Sequence, residues 1–135
     1  EAIPVLCKGL ESPNEWIQWE AVNALGVVYD EQTSGVLARL LKFGAPATVE
    51  QEIIVSLGRI ADERAVPALK TALSHNSSSV RWRAAGALAA INDPSALPLL
   101  HQRLPKETDD QTRMEIRTAI ATLSALDGQT EISTN

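Results

Sequence analysis

The sequence predicts an all-α fold, a right-handed superhelix of paired helices with about four pairs of 31–32 residues each. Three observations predict it. Four segments align on one template, opening at Ile17, Val49, Val80 and Thr112, so that successive starts differ by 32, 31 and 32 residues. A second set, opening at Ala2, Thr33, Ala65 and Ala96, interleaves with the first at intervals of 31, 32 and 31. The apolar residues, 44% of the chain, are Ala and Leu rather than aromatic, with one Phe, one Tyr and three Trp. That balance suits close-packed helices, since strands recruit β-branched and aromatic side chains. Two helices sharing one period are the mark of stacked repeats, each unit burying its apolar surface only against its neighbours.

The third copy of the first set shows why these segments are helices. Val80, Ala84, Ala87, Leu88 and Ile91 fall at i, i+4, i+7, i+8 and i+11, one buried stripe. Ala85 and Ala89 widen the stripe beyond one contact surface, and Gly86 lets a neighbour approach closely. A helix apolar over so much of its circumference packs on both sides. These A helices are expected at 14–28, 47–60, 78–91 and 109–126, and the B helices of the second set at 2–11, 31–43, 63–74 and 94–104. Pro4, Pro67 and Pro98 fall in the first turn of their B helices, where a missing N–H costs nothing. Asp30, Asp62 and Asp93 stand between each A helix and the following B helix. There a carboxylate accepts orphan N–H groups of the first turn, a cap worth about 1 kcal/mol. Short polar turns at 12–14, 44–46, 75–78 and 105–109 separate the units, and none is long enough to be a linker. Residues 1–126 therefore read as one solenoid and the polar 127–135 as a frayed tail. The abrupt helix-like opening at 2–6 reads as part of a longer protein.

Twelve basic against seventeen acidic residues give a formal charge of −5, which argues against nucleic-acid or anionic-membrane binding. The lone Cys7 can form no internal disulfide and no thiolate metal site, and fits a reducing cytoplasm. No apolar run approaches the roughly 20 residues of a membrane span.

The pattern Val80-Arg81-x-x-Ala84-Ala85-x-Ala87-Leu88-x-x-Ile91, the Asp93-Pro94 turn and the Ala-x-Pro-x-Leu openings of the B helices resemble HEAT repeats, specifically the short phycobilisome-lyase-type HEAT-like repeats. The resemblance covers residues 2 to 126 and rests on packing motifs. It implies that Arg81 pairs with the turn acid of a neighbouring unit, Asp62 or Asp93. The same position holds Gln18, Glu50 and Arg113 in the other copies, and Glu50 is expected to leave that ladder incomplete. HEAT-like enzymes resembling this chain bind iron through His-Glu steps in the A helices. The matching positions here read Trp19-Glu20, Gln51-Glu52, Trp82-Arg83 and Met114-Glu115, so those ligands are missing.

Few residues carry chemistry. Glu50 and Glu52, or Asp109 and Asp110, are spaced one or two apart and do not converge on a helix. His75 and His101 come from different units and form no i, i+4 metal pair. Trp19 and Trp82 share one motif position off the buried stripe, as packing residues or as partner contacts; Trp16 is open in the same way. In HEAT-like arrays the B helices are expected to line the concave side, and here they carry Lys8, Arg39, Lys42, Lys70, His101 and Arg103 in their second halves, with Glu31 and Glu63 at their starts. These cations form a basic stripe for an acidic segment or helix of another protein, or simply complement helix dipoles. The leading expectation is a non-catalytic protein–protein interaction module, monomeric, with no cofactor and no metal. The alternative implied by the resemblance is part of a bilin chromophore lyase, with Arg39, Lys70 and Arg103 facing the tetrapyrrole propionates.

Overall fold

The computed structural model describes residues 8–28, 31–43 and 46–133. Its α-helices are α1 (Glu15–Val28), α2 (Glu31–Phe43), α3 (Ala47–Ile60), α4 (Val66–Ala72), α5 (Ser78–Ile91), α6 (Leu97–Arg103) and α7 (Asp110–Ser133). Short 3₁₀ turns cover Glu63–Ala65, Pro94–Ala96 and Leu104–Lys106, and residues 8–10 are also helical. The A helices α1, α3, α5 and α7 form one row, each packed along its length on the next. The B helices α2, α4 and α6 form a second row, each lying mainly against the A helix that follows it. Leu25, Leu37, Ile53, Leu57, Leu69, Leu88, Leu100 and Ile116 are fully buried between the rows. Among the described residues no helix is long and apolar enough to cross a membrane.

The expected bounds hold at 31–43, 47–60 and 78–91, and differ elsewhere for local reasons. Residues 1–7 of the first B helix, and Asp30, lie outside the described residues. In the later B helices Pro67 and Pro98 have no N–H with which to carry the α ladder back towards the cap. The first turn therefore closes as 3₁₀ and the α-helical part begins at Val66 and Leu97. Asp62 and Asp93 cap these turns as expected, accepting from the backbone N–H of Arg64 at 2.9 Å and of Ser95 at 3.0 Å. The Ser95 amide holds the Asp93 carboxyl below its usual range. Ahead of each cap the chain passes through a left-handed residue, Ala61 (φ 55°) and Asn92 (φ 62°), which closes the A helix. The last helix runs to Ser133 rather than giving way to a tail at 127, because no proline follows and a single Gly128 costs a helix only about 1 kcal/mol.

The pairing expected for Arg81 is corrected. Asp62 and Asp93 are occupied by their own caps, and buried Arg81 instead forms a bidentate pair with buried Glu107, Nε to Oε2 at 2.8 Å and Nη2 to Oε1 at 2.7 Å. Its Nη1 donates to the carbonyls of His75 at 2.9 Å and Asn76 at 3.0 Å. One guanidinium thus ties the turn ahead of α5 to the turn ahead of α7. Glu50 does not interrupt the ladder: at the same motif position its Oε2 lies 2.7 Å from His75 Nε2, a tie to the turn ahead of the next A helix. In the first copy Gln18 donates to the carbonyl of Ser12 at 2.7 Å.

Two outcomes test this account. Leu88→Ala should lower stability by about 2–5 kcal/mol through the cavity it leaves, read by chemical denaturation. The Arg81 guanidinium pushes the Glu107 carboxyl down to about 2 from its ordinary 4.5. A depressed folded pKa contributes stability that is present above pH 4.5 and lost as pH falls from there towards 2, at most roughly 3 kcal/mol. Glu107→Gln should flatten this part of the stability–pH curve and lower stability at pH 7.

Candidate functional site

A groove of about 720 Å³ lies between α2 and α4, in the B row. Its walls are apolar, with Ala38 and Leu41 from α2 and Pro67 and Ala68 from α4, and Arg39, Arg64 and His75 stand around it. The groove exists because the two rows are spaced differently. In the A row a methyl group on Gly26 would lie 2.7 Å from Ser56 Cβ, and one on Gly58 would lie 3.2 Å from Ala87 Cβ. The B-row helices make little direct contact with one another. The groove lies on the face of the B helices, the face on which the basic residues were expected to act.

Each group at the groove is positioned by local structure. Arg64 stands two residues after the Asp62 cap, and its guanidinium lies 3.6 Å from the Asp62 carboxylate. His75 sits in the turn after α4, where Nδ1 accepts from the Ser77 N–H at 2.9 Å while Nε2 donates to Glu50. With both nitrogens engaged, the imidazole in this geometry offers no free lone pair to a ligand. Farther along the row Lys70, Arg103 and Lys106 line a notch of about 70 Å³ between α4 and α6. Lys70 donates to Ser95 Oγ at 3.1 Å and Arg103 lies 3.5 Å from Glu107, so both are partly engaged. Arg39, His101 and Lys8 are exposed. The side chain of Lys42 lies outside the described residues.

The tryptophans belong to the other row. Trp82 is half-buried in a cleft of about 400 Å³ between α3 and α5, floored by Gly58, Gly86 and Ala87. The Arg83 guanidinium lies 4.5 Å from its ring centre, a cation–π contact. Arg59 at the same cleft pairs with Glu52 at 3.9 Å. Burial pushes the Glu52 carboxyl up, against the lowering pull of Arg59 and Arg83. Trp19 packs against the core and stacks on Trp16, ring centres 5.3 Å apart and 17° from parallel. The structure therefore divides the predicted site residues between two faces and does not bring the basic stripe and the tryptophans together. Arg64, Lys106, Arg59 and Arg83 line these concavities without having been singled out in the sequence. Only Arg64 carried a signal, its place in the first turn after the Asp62 cap. Among the described residues no three His, Cys, Asp or Glu side chains converge to hold a metal ion.

A family model described as HEAT repeats matches residues 33–121. No curated protein matches the chain in sequence. Among solved structures, human deoxyhypusine hydroxylase in complex with glycerol is 27% identical over 91% of this chain and 43% of its own, with a TM-score of 0.76. Epoxyqueuosine reductase with a modified tRNA stem loop is 28% identical over 57% of this chain and 21% of its own, TM-score 0.54. The complex of CpcE and CpcF of phycocyanin lyase from Nostoc sp. is 21% identical over 93% of this chain and 54% of its own, TM-score 0.78, a likeness of fold. The expectation of a non-catalytic chain is corrected by these findings, because the structures it resembles include a hydroxylase and a lyase, of which the chain spans 43% and 54%. As a test of the A-row geometry, Gly58→Leu should force α3 and α5 apart, lower stability by about 1–3 kcal/mol and shift the fluorescence of Trp82.

Proposed function

The chain belongs to the HEAT-repeat family, and from that premise we propose that it is the partner-holding part of a larger, enzyme-type protein, gripping an acidic amphipathic helix of another protein in the α2–α4 groove. The observation that carries this reading is the groove itself. It is long enough to be walled by two helices, apolar along its sides, and bordered by Arg39 and Arg64. An amphipathic helix buries its apolar stripe in such a trough, and acidic flanks meet the guanidinia. Complementary charge of this kind governs encounter and specificity more than raw affinity. The net charge of −5 does not oppose it, since Arg39 and Arg64 border the groove itself.

The probe is a synthetic helix with a leucine stripe flanked by glutamates, titrated into isotopically labelled protein. Amide shifts should concentrate at Ala38, Leu41 and Ala68. Reversing both charges, Arg39→Glu with Arg64→Glu, should weaken binding about three- to tenfold at low salt, the scale expected of two exposed charges, and the wild-type affinity should fall as salt is added. Unchanged affinity in the double variant would remove the groove as the interface.

A further inference from the structure

We infer that the leading face of α1 is a docking seat for one more A-type helix, supplied by a further repeat of the same array. The inference is independent of the groove and rests on comparing equivalent positions in successive A helices. Inside the stack, α3 holds α1 through three positions. Thr48 Oγ1 donates to Glu15, Ser56 Oγ donates to the Val22 carbonyl at 3.3 Å, and Arg59 donates to Asn23 Oδ1 at 3.5 Å. The repeat of 32 residues maps these positions onto Trp16, Ala24 and Val27 of α1. There all three are apolar, and Trp16 and Val27 are 65% and 61% exposed. Ile17 makes the same point at the centre of the face: it is 46% exposed, whereas its counterparts Val49, Val80 and Thr112 are 0% exposed, each covered by the A helix before it.

The interior junctions show what covers such a face. In two of the three junctions the covering helix brings a glycine to the residue at the position of Ala24, Gly26 over Ser56 and Gly58 over Ala87, and in the third the same positions hold Ala89 and Ala119. A helix like α3 would set Gly58 on Ala24, the same pair of residue types that meets in the α3–α5 junction. A second copy of this chain is a poor occupant. Its α7 carries exposed Arg117 where Val22, Ile54 and Ala85 are buried in the covering helices of the stack, and would bring a guanidinium onto Trp16 and Ile17. An isolated α1 face therefore leaves an apolar, tryptophan-bearing surface in water that an A-type helix with a small residue at the position of Gly58 matches.

The test extends the chain by one such helix. A copy of residues 47–63 is fused directly ahead of Glu1, in register because Ala2 and Ala65 open the same motif. The expected result is a thermal midpoint raised by about 5 °C or more and α1 amide exchange slowed at least about tenfold, with iodide quenching of Trp16 reduced. The same fusion carrying Arg in place of the copied glycine of position 58 should return all three readouts to those of the unextended chain. If the glycine-bearing fusion leaves midpoint, exchange and quenching unchanged, or if the arginine version protects α1 equally well, the seat does not exist.

Discussion

The structure depends on how closely the A helices lie to one another. Gly26 and Gly58 remove the side chain at the point of nearest approach, and Ser56 and Ala87 present little more than a methyl group from the other side. At such separations the junction tolerates no branching, so the apolar load is carried by the residue just ahead of each glycine and by those one turn earlier, Leu25 and Val22, and Leu57, Ile54 and Ile53. The B helices cannot follow this spacing. They carry Leu37, Leu69 and Leu100 into the space between rows and make little direct contact with one another. Close approach in one row and sparse contact in the other leave the open groove between α2 and α4.

Register along the stack is fixed by the second motif position, which does one job with three chemistries. Gln18 reaches a turn carbonyl, Glu50 takes a proton donor from His75, and Arg81 does both kinds of work at once, donating to two carbonyls and to Glu107. The Arg81–Glu107 pair is buried, so its net contribution is small compared with the penalty of breaking it, which would leave one uncompensated charge in the interior. Glu107 also accepts the N–H groups of Thr108 and Asp109 at 3.2 Å each, so its oxygens are fully used and the pair is directional as well as neutral. A slip of one residue in either A helix would strand all of these groups, which makes the ties instruments of specificity.

What was legible in the sequence is what depends on periodicity. The bounds of α3 and α5, the buried stripe from Val80 to Ile91 and the caps at Asp62 and Asp93 are set by residues within one turn of each other, and the repeat averages out local ambiguity. What depends on separation between distant elements was not legible. The partner of Arg81 lies 26 residues away in a turn whose sequence, Pro105-Lys106-Glu107, reads as solvent-facing. The family-like expectation of a turn aspartate failed because each aspartate is consumed by its own helix start. The groove follows from a difference in spacing between rows, for which no single residue is a sign. The site itself was read only in part: Arg39 was found as a cation at the end of a helix, whereas the division of the tryptophans from the basic stripe required knowing which row faces which way.

The same ties bear on what the groove can do. His75 is the groove's one imidazole, and in a chain resembling enzymes it is the first group to weigh as an acid or base. Its Nδ1 is held by the Ser77 N–H and its Nε2 by Glu50, while its own carbonyl is held by Arg81. Freeing a lone pair would mean opening the turn at 75–77, which Arg81 fixes at two carbonyls and anchors through Glu107 to the next unit. Proton transfer at His75 is therefore coupled to loosening of the stack, an expensive route for a reaction step. The arrangement suits recognition better, because a ligand meets a wall whose side chains are already fixed and loses little conformational entropy in the protein on binding.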